Sequence, residues 1–115
     1  MKLIVGGLGQ GMLAWTLKEY GLTEADVART AAEAASRPVL DGLEELLRDP
    51  EFDPAPVLEA NPDIILICRE LGCGVVPLDP AQREWRERTG RICCELAKQA
   101  DSVERVLCGL PLKLK

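Results

Sequence analysis

The feature that most restricts the fold is Ile64-Ile65-Leu66-Ile67, an apolar, β-branched run preceded by Asn61-Pro62-Asp63 and followed by Gly72 and Gly74. It is too short for a helix and is bounded by turn formers, so it reads as a strand buried on both faces. Such strands belong to parallel sheets covered by helices on each side. Lys2–Val5 and Val103–Cys108 have the same character, with helical periodicity between them. The pattern predicts an α/β fold, residues 1–115 forming a single domain around a mostly parallel sheet. Directly after the central run comes Arg69-Glu70-Leu71-Gly72-Cys73-Gly74. In open α/β sheets ligands sit outside the carboxyl ends of the strands. Glu70, Gly72 and Gly74 are therefore candidate ligand contacts; the alternative is glycines that only turn the chain.

A second loop has the same placement. Lys2-Leu3-Ile4-Val5 leads into Gly6-Gly7-Leu8-Gly9-Gln10-Gly11, and Leu13, Leu17 and Tyr20 then keep helical spacing. Strand, glycine turn and helix form the setting in which backbone N–H groups and a helix N-terminus hold phosphate. Gly6, Gly7, Gly9, Gln10, Gly11 and Met12 are the candidate contacts. Gly6 to Gly11 matches the G-x-x-x-x-G of a Walker A loop, but the Lys and Ser/Thr that should follow are Met12 and Leu13. A dinucleotide G-x-G-x-x-G is not met. A tight β–α turn without ligand fits the residues as well as a phosphate cradle does.

Thr23 and Asp26 form a variant capping box with Leu22 and Val27 as staple, predicting a helix from Thr23 to Ala35 that Pro38 terminates. Val39-Leu40-Asp41-Gly42-Leu43 fits a short Walker-B-like strand with Asp41 near the phosphate loop, or a helix Gly42 to Arg48 capped by Asp41 with Glu44 at its third position. The spacing of Leu43, Leu46 and Leu47 favours the cap. Asp49 to Pro56 is a surface connection, with one helical turn starting at Asp53-Pro54. Asp79-Pro80-Ala81-Gln82 starts a helix running to Gln99, whose buried stripe is Trp85, Thr89, Ile92, Cys93, Leu96 and Ala100. Arg83, Glu84, Arg86, Glu87 and Arg88 read mainly as its solvated, ion-paired face. Leu110, Leu112 and Leu114 alternate with Lys113 and Lys115, a final half-exposed strand whose lysines discourage edge pairing.

A net charge of -5 and an aromatic content of 3% argue against nucleic acid as a partner. No apolar stretch spans a membrane and no signal peptide precedes the first strand, so no membrane partner and a cytoplasmic location are expected. The five cysteines contain no C-x-x-C and read as structural thiols of a reducing compartment. Vicinal Cys93 and Cys94 point different ways on a helix and are not a redox pair. The chain contains no His, which removes the commonest general base; a zinc site would need cysteines and carboxylates alone, and their spacing does not support one, so no metal-ligating residue is assigned. No catalytic residue is assigned.

Glu70-Leu71-Gly72-Cys73-Gly74-Val75-Val76-Pro77 resembles the N-E-V-G-x-G-I-V-P signature of the bifunctional adenosylcobinamide kinase/adenosylcobinamide-phosphate guanylyltransferases of cobalamin biosynthesis. Arg86-Glu87-Arg88-Thr89-Gly90-Arg91 resembles that family's R-D-x-x-G-R. Leu96-Ala97 with Ala100-Asp101-Ser102-Val103 is similar to L-A-x-x-A-D-x-V. Gly109 to Lys115 resembles the closing strand, and Leu3 to Gly11 the start of the phosphate loop. The resemblance implies a RecA-like P-loop fold, GTP or ATP with Mg²⁺ as ligand, and a homodimer or homotrimer. It also implies a guanylyl-carrying His in the middle region, where this chain is shortened to Thr23–Pro62 and has none. Arg69 replaces the signature's Asn. The expectation is therefore a divergent member that keeps weak nucleotide or phosphate binding with its transfer activities lost or strongly reduced. The alternative is a non-catalytic oligomeric interaction or regulatory protein that keeps only the fold.

Overall fold

A computed structural model describes residues 1–72 and 76–115. Among the described residues, six strands form one sheet in the order β2-β3-β4-β1-β5-β6. They are β1 (Lys2–Gly6), β2 (Val27–Ala28), β3 (Val39–Asp41), β4 (Ile65–Arg69), β5 (Ser102–Leu107) and β6 (Leu110–Lys113). The first five run parallel and β6 returns antiparallel on β5. The helices are α1 (Met12–Tyr20), α2 (Ala31–Ala34), α3 (Leu43–Leu46), α4 (Ala55–Ala60) and α5 (Pro80–Gln99).

Alternation along the strands sends side chains to opposite faces. Leu3, Leu40, Leu66, Cys68 and Val103 face α5 and the short helices, with Trp85, Ile92 and Cys93 packed partly buried against them. Ile4, Val39, Ile65, Ile67 and Val106 face the other way and are covered by Met12, Leu13, Trp15 and Tyr20 of α1. Burying each Leu or Ile completely contributes about 1.5–3 kcal/mol, so the central strands carry much of the stability. The helix Asp79 caps starts as expected: its Oδ1 accepts from the Ala81 N–H at 2.9 Å, with Pro80 next.

The middle of the chain departs from the expected helix over Thr23–Ala35. The capping box forms, with the Thr23 N–H donating to Asp26 Oδ2 at 2.9 Å, but it opens only a 3₁₀ turn, Glu24–Asp26. Val27 and Ala28 then pair with Val39 and Leu40 as β2. Burial at the sheet edge overrides helical propensity in this Ala-rich stretch. A second cap, Thr30 Oγ1 accepting from the Glu33 N–H at 3.2 Å, starts α2 afresh. Val39-Leu40-Asp41 is a strand, and Gly42, at φ 94°, takes the cap position that Asp41 was expected to hold. The helix behind it is real but one turn long. Finally, the leucines of β6 are exposed together with its lysine, Leu110 at 69% and Leu112 at 56%, so the edge carries an apolar row.

Candidate functional site

The strand order reverses at β1, which has β4 on one side and β5 on the other. The crevice outside the carboxyl ends at such a switch point is where α/β sheets place ligands. The two loops singled out from the sequence meet there: the Glu70 N–H donates to the Gly6 carbonyl at 2.8 Å.

The glycine turn is built tightly. A methyl group on Gly6 would lie 2.7 Å from the Val106 carbonyl oxygen and 3.1 Å from the Met12 side chain, so only glycine lets β1 pass between them. Gly11, at φ 85°, turns the chain into α1 in a conformation that L-residues avoid. Gln10 faces the β5–β6 hairpin rather than the crevice. Its Oε1 accepts from the Cys108 N–H and its carbonyl from the Gly109 N–H, each at 2.8 Å. Cys108 and Gly109 have φ 53° and 74°, the positive pair of a two-residue hairpin turn. Met12 and Leu13 pack against the Ile4–Ile67 cluster, so the two positions that would hold Lys and a hydroxyl are core residues here.

The second loop is reached from β4. Glu70 is gripped by Arg105 of β5, two strands away: Nε donates to Oε1 at 2.9 Å and Nη2 to Oε2 at 3.1 Å. The bidentate pair spans the end of β1. The Gly72 carbonyl accepts from Arg86 Nη2. Gly74 lies outside the described residues. Arg88, read as part of a solvated face, instead donates to the carbonyls of Leu47, Asp49 and Phe52, closing the end of α3.

Between β4 and α5 lies a cavity of about 290 Å³, lined by Cys68, Glu70, Gly72, Arg86, Thr89 and Cys93 among others. Thr89 is only 3% exposed, and among the described residues its hydroxyl has no hydrogen-bond partner. Glu44 is buried nearby. Its Oε2 accepts from the Arg69 N–H at 3.2 Å, and its carbonyl accepts from Trp85 Nε1 at 2.7 Å. Burial raises the Glu44 carboxyl above its ordinary value, outweighing that amide. The Cys68 thiol, 3.4 Å from Cys93 Sγ, is pushed up by that contact and by burial. Sequence reasoning missed Glu44, Arg105 and the Cys68–Cys93 contact; the buried stripe of α5 contained Cys93 and Thr89 but did not say what they face.

Asp41 stands beyond β4, level with Ile67, one strand removed from β1. It pairs with Arg29 at 3.6 Å, and burial raises its carboxyl. With Leu13 in place of a hydroxyl, the turn lacks the side-chain ligand that a Walker A loop offers Mg²⁺. Among the described residues no three His, Cys, Asp or Glu side chains group as a metal site. No helix among them is long and apolar enough to cross a membrane.

Residues 51–114 match the family model described as cobinamide kinase / cobinamide phosphate guanyltransferase. The chain belongs to that family. It is similar to the bifunctional adenosylcobalamin biosynthesis protein CobU of Salmonella typhimurium (strain LT2), 36% identical over 52 residues. The aligned stretch is 45% of this chain but only 29% of that protein. The cobinamide kinase / guanyltransferase match takes in β4, α5, β5, β6 and the Glu70 loop, while the glycine turn lies before it.

Proposed function

We propose that this chain is a divergent, RecA-like P-loop relative of the cobinamide kinase / guanyltransferases that binds nucleotide phosphates weakly and transfers them negligibly. The observation that carries the reading is the glycine turn entering α1 at the switch point of the sheet, beside the family's Glu70 loop. Backbone N–H groups and the helix dipole at Gly7–Met12 supply the attraction for phosphate. Phosphoryl transfer needs charge neutralisation on the γ-phosphate, chiefly by Lys and Mg²⁺. Met12 brings no charge and Leu13 no metal ligand. Losing one preorganised electrostatic donor costs about 10²–10³ in rate, and here two such groups are absent together. Guanylyl transfer through a His phosphoramidate has no His to use.

The test is calorimetry with MgGTP and MgATP, followed by an assay with adenosylcobinamide. Weak saturable binding without turnover is expected. Turnover on the order of 1 per second or more would contradict the reading and point to another cation, Arg69 or Arg86, in the lysine's role. The second reading, a non-catalytic oligomeric interaction protein, is favoured by Gln10 facing the hairpin and by the exposed leucines of β6. It predicts no nucleotide binding. Both readings include a homodimer or homotrimer of this chain; a monomer by light scattering at micromolar concentration would contradict that part.

A further inference from the structure

Cys68 closes the buried run of β4, and Cys93 sits in the buried stripe of α5, 25 residues later. Their sulfurs are 3.4 Å apart, from different elements, and both line the 290 Å³ cavity. Two thiols already in contact need only a short approach to bond, whereas vicinal Cys93 and Cys94 would have to strain the helix. Cys68 is buried and Cys93 only partly so, which separates an attacking thiol from a resolving one. Disulfides in reducing compartments, where they occur, are mostly transient and redox-sensing.

We propose that Cys68 and Cys93 are a peroxide-responsive dithiol that closes to a reversible disulfide and clamps α5 onto the end of β4. A hydroperoxide enters through the cavity. The Cys93 thiolate attacks the distal peroxide oxygen, the O–O bond breaks, and the alcohol or water leaves with a proton. Cys93 is then a sulfenic acid. Cys68 sulfur attacks it, the S–O bond breaks, and water leaves with the Cys68 proton. Two thiols are oxidised and one peroxide is reduced, giving one disulfide, one alcohol or water, and one further water. The new bond ties the Thr89–Cys93 turn of α5 to the strand that delivers Glu70 and Gly72. The clamp does not depend on nucleotide binding.

The experiment is native oxidation of the full chain with a modest excess of hydrogen peroxide, then alkylation, digestion and mass spectrometry. A peptide pair joined through Cys68 and Cys93 is expected, lighter by about 2 Da and restored by dithiothreitol. The Cys73→Ser/Cys94→Ser/Cys108→Ser variant should give the same crosslink. Its melting temperature should rise by roughly 10 °C on oxidation, because the bond closes a loop in the unfolded chain. Cys93→Ser should show neither change. Cys68 and Cys93 both remaining alkylatable, or a crosslink to a different cysteine, would overturn the proposal.

Discussion

The glycine turn after β1 and the junction between β4 and α5 lie side by side at the same end of the sheet. In the turn, Gln10 is bonded to the hairpin, Met12 and Leu13 are packed into the core, and Gly6 sits against the Val106 carbonyl. At the junction, a buried hydroxyl lacks a partner among the described residues, a carboxylate is buried with its proton affinity raised, and two thiols touch across a cavity. The first region is a strand, glycine turn and helix with little polar side-chain chemistry beyond its backbone. The second retains reactive groups around an open volume. A family resemblance concentrated in the second half of the chain agrees with that division.

The largest effect is expected at Gly6. Gly6→Ala forces a methyl onto the Val106 carbonyl, and overpacking of this kind costs about 3 kcal/mol, read as a lower midpoint in urea. A neutral result would mean the turn is looser than described. At the junction, Thr89→Val keeps the shape and removes the unpartnered hydroxyl; it should stabilise by about 1–2 kcal/mol. A loss of stability would show that the hydroxyl has a partner, such as a bound water. Gln10→Ala removes the side-chain acceptor of the Cys108 N–H and leaves the backbone bond to Gly109; it should cost about 1 kcal/mol, with faster hydrogen exchange at the Cys108 amide than at Gly109.

The smallest effect is pH-dependent. Burial raises the folded Glu44 carboxyl above its ordinary value of 4.5. The folded state therefore holds this proton more tightly than the unfolded one. The stabilising contribution is present below the unfolded value and lost as pH rises through the folded one. Glu44→Gln keeps an acceptor for the Arg69 N–H without the charge. It should be more stable than the parent at pH 7, with the gap closing as pH falls through the raised folded value and gone below 4.5. A gap that persists in acid would locate the effect elsewhere.

Most of the frame was legible because it is written locally. Ile64–Ile67 has no helical alternative, Pro80–Gln99 carries its own start signal and periodicity, and Met12–Tyr20 carries periodicity directly after the glycine turn. The stretch from Thr23 to Asp41 was not, because its outcome depends on pairing between Val27–Ala28 and Val39–Leu40, and local capping signals cannot report a partner strand. The glycines of the turn could be read by position. The Glu70–Arg105 pair could not, since it requires knowing that β1 lies between β4 and β5. The same holds for Cys68 and Cys93, each recognisable as buried but not as neighbours.

Weak phosphate binding to the backbone of the glycine turn, as proposed, can be followed by amide chemical shifts of the labelled protein during titration with MgGTP. Saturable shifts concentrated at the Gly7–Leu13 amides are expected, at ligand concentrations on the order of 0.1–1 mM, about −4 to −5.5 kcal/mol. Shifts that never saturate, or that gather around Arg86 and Thr89 while the turn stays unchanged, would contradict it.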